Sequence, residues 1–223
     1  MLVRDIMNHP VTTVAPSASL GDAFALMHEH NVRHLPVMDN HGRVVGIITD
    51  RDIRYATSEL TDVPLPRKAE VSKAMSAPAI TASPLDPVED AAQRLRTERI
   101  GALPIVEGAD LVGIITGTDL LDAVVRLTGV EKPGSRLAVA LPDKPGQLAR
   151  LTARVADAGL DIRSVLSYYT PSSDATDTLE DPDDASYLHV ILRVDTIHIR
   201  PLAQELRDEG FNVLWPLPKP TAQ

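Results

Sequence analysis

Two copies of the motif Thr-x-x-Asp hold the side chains of this sequence that are best suited to binding a ligand. They stand as Thr49-Asp50-Arg51-Asp52 and Thr116-Gly117-Thr118-Asp119, each directly after an apolar run. Thr-x-x-Asp at a helix start is a capping box, in which Thr closes the first turn and the acid suits the helix dipole. A carboxylate there keeps acceptor capacity for hydroxyl groups of a ligand. Each motif therefore predicts a helix start and a candidate binding group together.

The two motifs belong to an internal repeat. Met7-Asn8-His9-Pro10 recurs as Met75-Ser76-Ala77-Pro78, and matching residues lie 68 positions apart early in the unit and 67 apart later. A single deletion near the turn at 39–42 accounts for the change. Further matched segments are Leu35-Pro36-Val37 with Leu103-Pro104-Ile105, and Gly46-Ile47-Ile48-Thr49 with Gly113-Ile114-Ile115-Thr116. So many matches in one register indicate a duplicated unit.

Each unit is predicted to be β-α-β-β-α. A short strand leads into an amphipathic helix, two strands joined by a turn follow, and the last helix starts at Thr-x-x-Asp. The predicted strands are Val11–Val14, His34–Met38 and Val44–Ile48 in the first copy, and Ala79–Ala82, Leu103–Val106 and Leu111–Ile115 in the second. For the first helix of each unit, Ser19 with Asp22 is the predicted capping box in one copy. In the other, Asp86 is the predicted cap, with Pro87 at the first helical position.

The second half of the chain has a different pattern. Residues 128–135 are predicted to be a linker, and residues 136–216 follow the order β-α-β-β-α-β, which is the ferredoxin-like arrangement. The predicted elements are strands Leu137–Leu141, Asp161–Tyr168, Tyr187–Val194 and Phe211–Trp215, with helices ending at Gly159 and Gly210. The expected fold class is thus α/β (α+β), with residues 217–223 as a tail. The insert Thr170–Ser186 carries six acids and no base, which favours a flexible solvated loop over a calcium site.

Composition narrows the class of protein. The net charge is −9 and Lys and Arg do not cluster, which argues against a nucleic-acid partner. The chain has no cysteine, which excludes disulfides and thiolate sites and fits a reducing cytosol. No apolar run approaches the roughly 18 residues of a membrane span, and the N-terminus does not look like a signal peptide. We expect a soluble, cytoplasmic protein with an aliphatic core.

The repeat resembles the CBS domain, and the tandem resembles a CBS pair, or Bateman module. Its marker, Gly-h-h-Thr-x-x-Asp (h, apolar), stands at 46–52 and at 113–119, and the predicted repeats are 1–60 and 61–127. The resemblance implies an adenosine-type nucleotide as regulatory ligand: AMP, ADP, ATP, NAD, S-adenosylmethionine or cyclic di-AMP. It implies that the Asp carboxylates hold ribose hydroxyls. The implied nucleotide-binding residues are Thr12, Val32, Arg33, His34, Thr49, Asp52, Ile80, Ile100, Thr116 and Asp119.

These residues have different implied roles. The adenine is expected against backbone near Thr12 and Ile80, with Val32 and Ile100 lining the pocket. Arg33 and His34 stand where CBS proteins often place cations that contact phosphate, whereas the second repeat has Gly101-Ala102 there. A surface cation and a half-buried strand residue are the ordinary alternatives for this pair. The two clefts are expected to be unequal in phosphate binding.

The stretch Asp143-Lys144-Pro145-Gly146-Gln147-Leu148-Ala149 resembles the first loop of ACT domains. By that resemblance Asp143, Gly146 and Gln147 could offer a ligand loop, with backbone amides at a helix N-terminus facing a carboxylate. A tight turn that only starts the helix is the alternative, and many ACT domains serve only to dimerise. Two CBS repeats followed by an ACT domain is the layout of the AcuB-type acetoin-utilisation family.

No enzyme class is favoured, because no nucleophile elbow, P-loop, Ser/His/Asp set or carboxylate pair emerges. His28, His30 and His34 do not make a metal site, since the first two point to different helix faces and nothing completes the set. We therefore predict a non-catalytic, nucleotide-sensing regulator, a homodimer, acting on an unidentified protein, possible settings being acetoin or central carbon metabolism. An amino-acid-sensing ACT regulator with unliganded, structural CBS repeats is the alternative.

Overall fold

The computed structural model describes residues 1–169 and 187–218. It divides into two compact units, Met1–Ala123 and Val124–Gln223. The acidic insert predicted as a flexible loop lies outside the described residues, as does the end of the predicted tail. The domain limits proposed from the sequence stay predictions.

The first repeat is a helix–hairpin–helix unit around an aliphatic core. Its elements are α1 (Leu20–Glu29), β1 (His34–Met38), β2 (Val44–Thr49) and α2 (Asp50–Ala56). The two strands pair antiparallel, with His34 opposite Thr49. α1 begins at the predicted box, where the Ser19 hydroxyl accepts the Asp22 amide at 3.0 Å. Alternation along the strands turns Leu35, Val37 and Ile48 into the core, where all three are fully buried.

The second repeat has the same plan. Its elements are α3 (Val88–Glu98), β3 (Ala102–Glu107), β4 (Asp110–Thr116) and α4 (Gly117–Thr128). Its strands also pair antiparallel, with Ala102 opposite Thr116. The prediction that Asp86 caps α3 is wrong: Pro87 is the N-cap residue and no side chain caps it. The Asp86 carboxylate instead accepts the backbone N–H of Ser83 at 3.0 Å, because it stands one residue too early.

The predicted first strand of each repeat is reduced to a single bridge. Val14 bridges Val37 and Ala82 bridges Ile105, both in parallel sense, and no longer ladder forms on either segment. Residues 11–13 and 79–81 have no strand partner among the described residues. The residues of these short segments favour β-structure, but a strand forms only where a neighbouring strand can pair with it. In each repeat the hairpin pairs with one residue of the segment.

Each repeat packs against the chain segment that leads into the other. The segment Leu2–Asn8 bridges Pro87 and Ile114, and it places Val3 in the core of the second repeat. The matched segment Glu70–Ser76 joins the first repeat in the same way. This crossing ties the two repeats into one unit, because neither core is complete without the other copy's leading segment.

The glycine of each Gly-h-h-Thr run is required by this crossing. A Cβ at Gly46 would lie 2.8 Å from the Met75 sulfur and 2.9 Å from the Ser76 carbonyl oxygen. A Cβ at Gly113 would lie 2.5 Å from the Met7 sulfur. These distances are too short for non-bonded contacts to carbon. A larger residue at either position would require the methionine of the crossing segment to shift, and at Gly46 the Ser76 backbone as well.

The second unit is a four-stranded antiparallel sheet with two helices. Its strands are β5 (Ser135–Pro142), β6 (Ile162–Tyr169), β7 (Tyr187–Val194) and β8 (Asn212–Trp215), and its helices are α5 (Gln147–Asp157) and α6 (Arg200–Asp208). The strand order is β6-β7-β5-β8. β7 lies between β5 and β6, which is the split βαβ order of ferredoxin-like domains. Apolar residues of the strands and of both helices form one core, which includes Leu137, Val139, Leu151, Val190, Leu192 and Leu206.

Candidate functional site

Both Thr-x-x-Asp motifs form closed capping boxes at the starts of α2 and α4. Asp52 Oδ2 accepts the Thr49 N–H at 2.9 Å and the Thr49 hydroxyl at 2.8 Å. Asp119 Oδ2 accepts the Thr116 N–H at 2.7 Å and hydroxyl at 2.6 Å. The capping function uses one oxygen of each carboxylate. The other oxygen, Oδ1, is therefore the atom that could accept hydrogen bonds from a ligand.

The surroundings of the two carboxylates define two candidate clefts, called here the first cleft (around Asp52) and the second cleft (around Asp119). The Arg33 carbonyl accepts the Asp50 N–H at 3.1 Å, which places Arg33 at the start of α2. The matched Gly101 carbonyl accepts the Gly117 N–H at 3.3 Å at the start of α4. The structure thus places Arg33 at the start of α2, and the matched residue at the start of α4 is Gly101.

Three arginines line an open pocket along α2. Arg33, Arg51 and Arg54 surround a volume of about 500 Å³, together with Asp50, Tyr55, Ser58 and Leu60. Arg54 also pairs with Asp50 at 3.7 Å. Arg51 and Arg54 were not predicted from the sequence. Their spacing could have indicated them, because residues three apart on a helix share a face. Both also lie in α2, whose start is next to Arg33.

The surroundings of His34 disfavour its protonated form. Its imidazole is half-buried against the second repeat, where a Cβ at Gly101 would lie 2.5 Å from its Nε2 atom. Burial lowers the pKa of His34, and the charge of Arg33 lowers it further, against the opposing effect of Asp50 and Asp52. The sequence predicts that His34 adds charge for phosphate mainly below neutrality; this stays a prediction, and the lowered pKa moves protonation of the imidazole to lower pH. The imidazole fills the space that the absent side chain of Gly101 leaves.

This burial predicts a pH dependence of stability. In the unfolded chain His34 takes up a proton near pH 6.5, whereas in the folded chain its lowered pKa delays uptake. The unfolded state therefore binds more protons as the pH falls below neutrality, and the free energy of unfolding decreases. In His34→Ala, position 34 carries alanine, as the matched position 102 does. This variant is expected to show a smaller decrease in the free energy of unfolding between about pH 7.5 and 5.5.

Urea unfolding at several pH values measures the effect. His41→Ala is the matched control, because His41 is exposed in the turn between β1 and β2. A pH dependence of the free energy of unfolding that is the same in wild type and His34→Ala would contradict the prediction.

The predicted adenine-contacting residues flank the hairpins. Val32 packs against the core of the first repeat and Ile100 against that of the second. Thr12 is half-buried and Ile80 is 37% exposed. Each pair occupies matching places, so each hairpin has an apolar side chain available next to its cleft. Their contact with an adenine stays a prediction.

In the second unit, the predicted ligand loop forms a tight turn. Gly146 has a φ of +87° and precedes α5 as its N-cap, without a side-chain cap. Gln147 is the first residue of α5. The Asp143 carboxylate accepts the Tyr169 hydroxyl at 3.3 Å, and its charge raises the pKa of Tyr169. The left-handed backbone explains the glycine, and a ligand role of this loop stays a prediction.

Clustered metal ligands and membrane-spanning helices are both missing from the described part of the chain. Within residues 1–169 and 187–218, no group of three or more His, Cys, Asp and Glu side chains could hold a metal ion. Over the same two ranges, no helix has both the length and the apolar character needed to span a bilayer.

The sequence matches the family described as the CBS domain at residues 3–59 and 70–126, which together make up half of the chain. The chain belongs to the CBS-domain family and carries a tandem pair. The CBS domain-containing protein YhcV of Bacillus subtilis is 37% identical over 136 residues, which cover 60% of this chain and 91% of YhcV. A CBS domain-containing protein of Dictyostelium discoideum is 33% identical over 147 residues, 60% of this chain and 99% of that protein.

Solved structures show the same pair. The CBS domain pair of protein MJ0100, in complex with 5′-methylthioadenosine and S-adenosyl-L-methionine, is 31% identical with a TM-score of 0.51, covering 56% of this chain and 99% of that chain. A protein described as an acetoin utilization protein (AcuB), from Vibrio cholerae, is 26% identical with a TM-score of 0.51, covering 60% and 98%. Matches to enzymes are partial: the L-aspartate semialdehyde sulfurtransferase of Methanocaldococcus jannaschii is 33% identical, but only 22% of it is covered.

Proposed function

We propose that the protein is a non-catalytic regulator whose CBS pair binds an adenosine-type ligand. The observation that carries the proposal is the pair of carboxylates, Asp52 and Asp119. In each, Oδ2 takes part in the capping box and Oδ1 does not. A vicinal diol such as that of ribose donates two hydrogen bonds, and bonds to a charged acceptor are worth about 1.5–3 kcal/mol each. The adenosine compounds bound by the MJ0100 pair support this assignment.

The first cleft is the proposed site for a phosphorylated nucleotide. Arg33, Arg51 and Arg54 offer guanidinium groups around an open pocket, and Arg binds phosphate through its planar fork. The second cleft has Gly101 in place of Arg33 and suits a less anionic ligand. AMP, ADP, ATP and NAD are thus assigned to the first cleft, and S-adenosylmethionine or an unphosphorylated adenosine compound to the second.

For the second unit we propose an ACT domain that dimerises or reports the state of the CBS pair. Its split βαβ strand order supports this, together with the loop at 143–149. A homodimer, a cytoplasmic location and a role in acetoin or central carbon metabolism stay predictions of the sequence. The similarity to the Vibrio cholerae protein supports a link to acetoin use only through a match that covers 60% of this chain.

The alternative function is amino-acid sensing by the second unit, with structural CBS repeats. The turn at Gly146 favours amino-acid sensing, because no side chain caps the first backbone amides of α5. A ligand of this kind would contact the loop at 143–147, not the CBS clefts. The two functions therefore differ in which unit a ligand stabilises.

A thermal-shift screen tests the proposal. AMP, ADP, ATP, NAD, S-adenosylmethionine, cyclic di-AMP and the amino acids are the ligands to compare. A ligand at about 100 times its Kd adds about 2.7 kcal/mol to the free energy of unfolding, so an adenosine compound is expected to raise Tm by several degrees. Stabilisation by amino acids alone would favour the alternative, and stabilisation by none of these compounds would contradict both.

A further inference from the structure

Asn8 and Ser76 hold matching positions in the two repeats, and their backbones are placed alike. Asn8 exchanges two backbone hydrogen bonds with Ile114, at 2.9 and 3.1 Å. Ser76 exchanges two with Ile47, at 2.9 and 3.0 Å. Ile114 and Ile47 each stand two residues before the Thr of a Thr-x-x-Asp motif. Both side chains therefore start from the same place relative to the nearby carboxylate.

The two side chains differ in what they reach. The Asn8 Nδ2 atom donates a hydrogen bond of 2.7 Å to Asp119 Oδ1. Among the described residues no corresponding bond runs from Ser76 to Asp52, because a serine hydroxyl lacks the reach of a carboxamide. Both carboxylates have their Oδ2 atoms occupied by the preceding Thr. The difference in hydrogen bonding between the two carboxylates is therefore confined to Oδ1.

Each carboxylate oxygen has two acceptor positions. At Asp52 no hydrogen bond among the described residues occupies Oδ1, so this one oxygen can take both hydroxyls of a vicinal diol. At Asp119 the Asn8 carboxamide holds one of them. A diol entering the second cleft must either displace this amide or leave one of its hydroxyls without a charged acceptor.

We infer that Asn8 is a specificity-determining residue of the second cleft, because its carboxamide competes with ligand hydroxyls for Asp119. This inference rests on the proposed function, since it takes the carboxylates as the groups that bind a ribose diol. It adds an inequality between the clefts that is independent of phosphate. The second cleft binds a ribose diol more weakly than the first. The residue that lowers this affinity, Asn8, is 111 positions away from Asp119 in the sequence.

The exchange of the two residues tests the inference. Adenosine is the probe, because it carries the diol without the phosphates that Arg33 would bind. Asn8→Ser in an Asp52→Ala background isolates the second cleft, and calorimetry is expected to show adenosine binding about tenfold tighter than in Asp52→Ala alone. The reverse exchange, Ser76→Asn in an Asp119→Ala background, is expected to weaken adenosine binding at the first cleft by about tenfold, because the new carboxamide starts from the place that Asn8 has in the other repeat.

A second readout follows the amide itself. The side-chain amide resonances of Asn8, assigned in ¹⁵N spectra by their loss in Asn8→Ser, are expected to shift when adenosine occupies the second cleft. Adenosine affinity that is equal in Asp52→Ala with and without Asn8→Ser overturns the inference while leaving the proposed function intact. Failure of adenosine to bind wild type and every variant, with circular dichroism showing them folded, overturns this inference. Failure of AMP and S-adenosylmethionine in the same assay overturns the proposed function as well.

Discussion

Replacing both Asp52 and Asp119 with alanine is expected to abolish most adenosine binding, with about a tenfold loss or more at each occupied cleft. Each carboxylate offers an oxygen that the capping box leaves over, and hydrogen bonds to a charged acceptor are worth about 1.5–3 kcal/mol. The protein is expected to stay folded, because the Thr49 and Thr116 hydroxyls can still cap α2 and α4. Calorimetry with adenosine and with AMP measures the loss for each single variant and for the double variant.

The capping role is separated from binding by a matched control. Asp22 stands in the same box position at the start of α1, where the Ser19 hydroxyl donates to its carboxylate at 2.7 Å. Asp22→Ala removes a helix-start carboxylate without touching either cleft, so it is expected to cost about 1 kcal/mol of stability and no affinity. If the double variant binds adenosine as wild type does, Thr-x-x-Asp is only a capping device in this protein.

Arg33→Ala is expected to weaken AMP binding at the first cleft by about tenfold while leaving adenosine binding nearly unchanged. Arg33 lies at the start of α2 and lines the pocket that Arg51 and Arg54 share. Its guanidinium is expected to contact only the phosphate of AMP, because adenosine carries no anionic group. The affinities of wild type and variant for AMP and adenosine, measured at equal ionic strength, give the selectivity as a ratio.

Arg43→Ala is the control for a general change of charge. Arg43 belongs to the same repeat but pairs with Asp39 at 2.7 Å in the turn between β1 and β2. Hydrogen bonds from the Arg43 backbone N–H and guanidinium lower the pKa of Asp39 to about 2, so the pair is ionised near neutral pH. An equal loss of AMP affinity in Arg33→Ala and Arg43→Ala would show that net charge, not a phosphate contact, sets the preference.

Local patterns in the sequence were enough to predict the repeat, the hairpins and the capping boxes. Alternating apolar residues fix which side of β1 or β3 faces a core, and Thr-x-x-Asp closes within four residues. The β-α-β-β-α-β order of the second unit also follows from element order and glycine stops. Two predictions were wrong. Asp86 stands one residue outside the helix, which is a local error, whereas the short segments ending at Val14 and Ala82 found a strand partner for one residue only.

The candidate clefts were predictable in part. The sequence alone determined that this chain is a duplicated CBS unit with a carboxylate at each matched helix start, because such signals lie in contiguous residues. Only the tertiary structure decided what surrounds those carboxylates. The packing of the two repeats brings Asn8 to Asp119 and His34 to Gly101, although the partners in each pair belong to different copies of the unit. Contacts of this kind depend on how two repeats pack, and no periodicity or spacing along one chain encodes them.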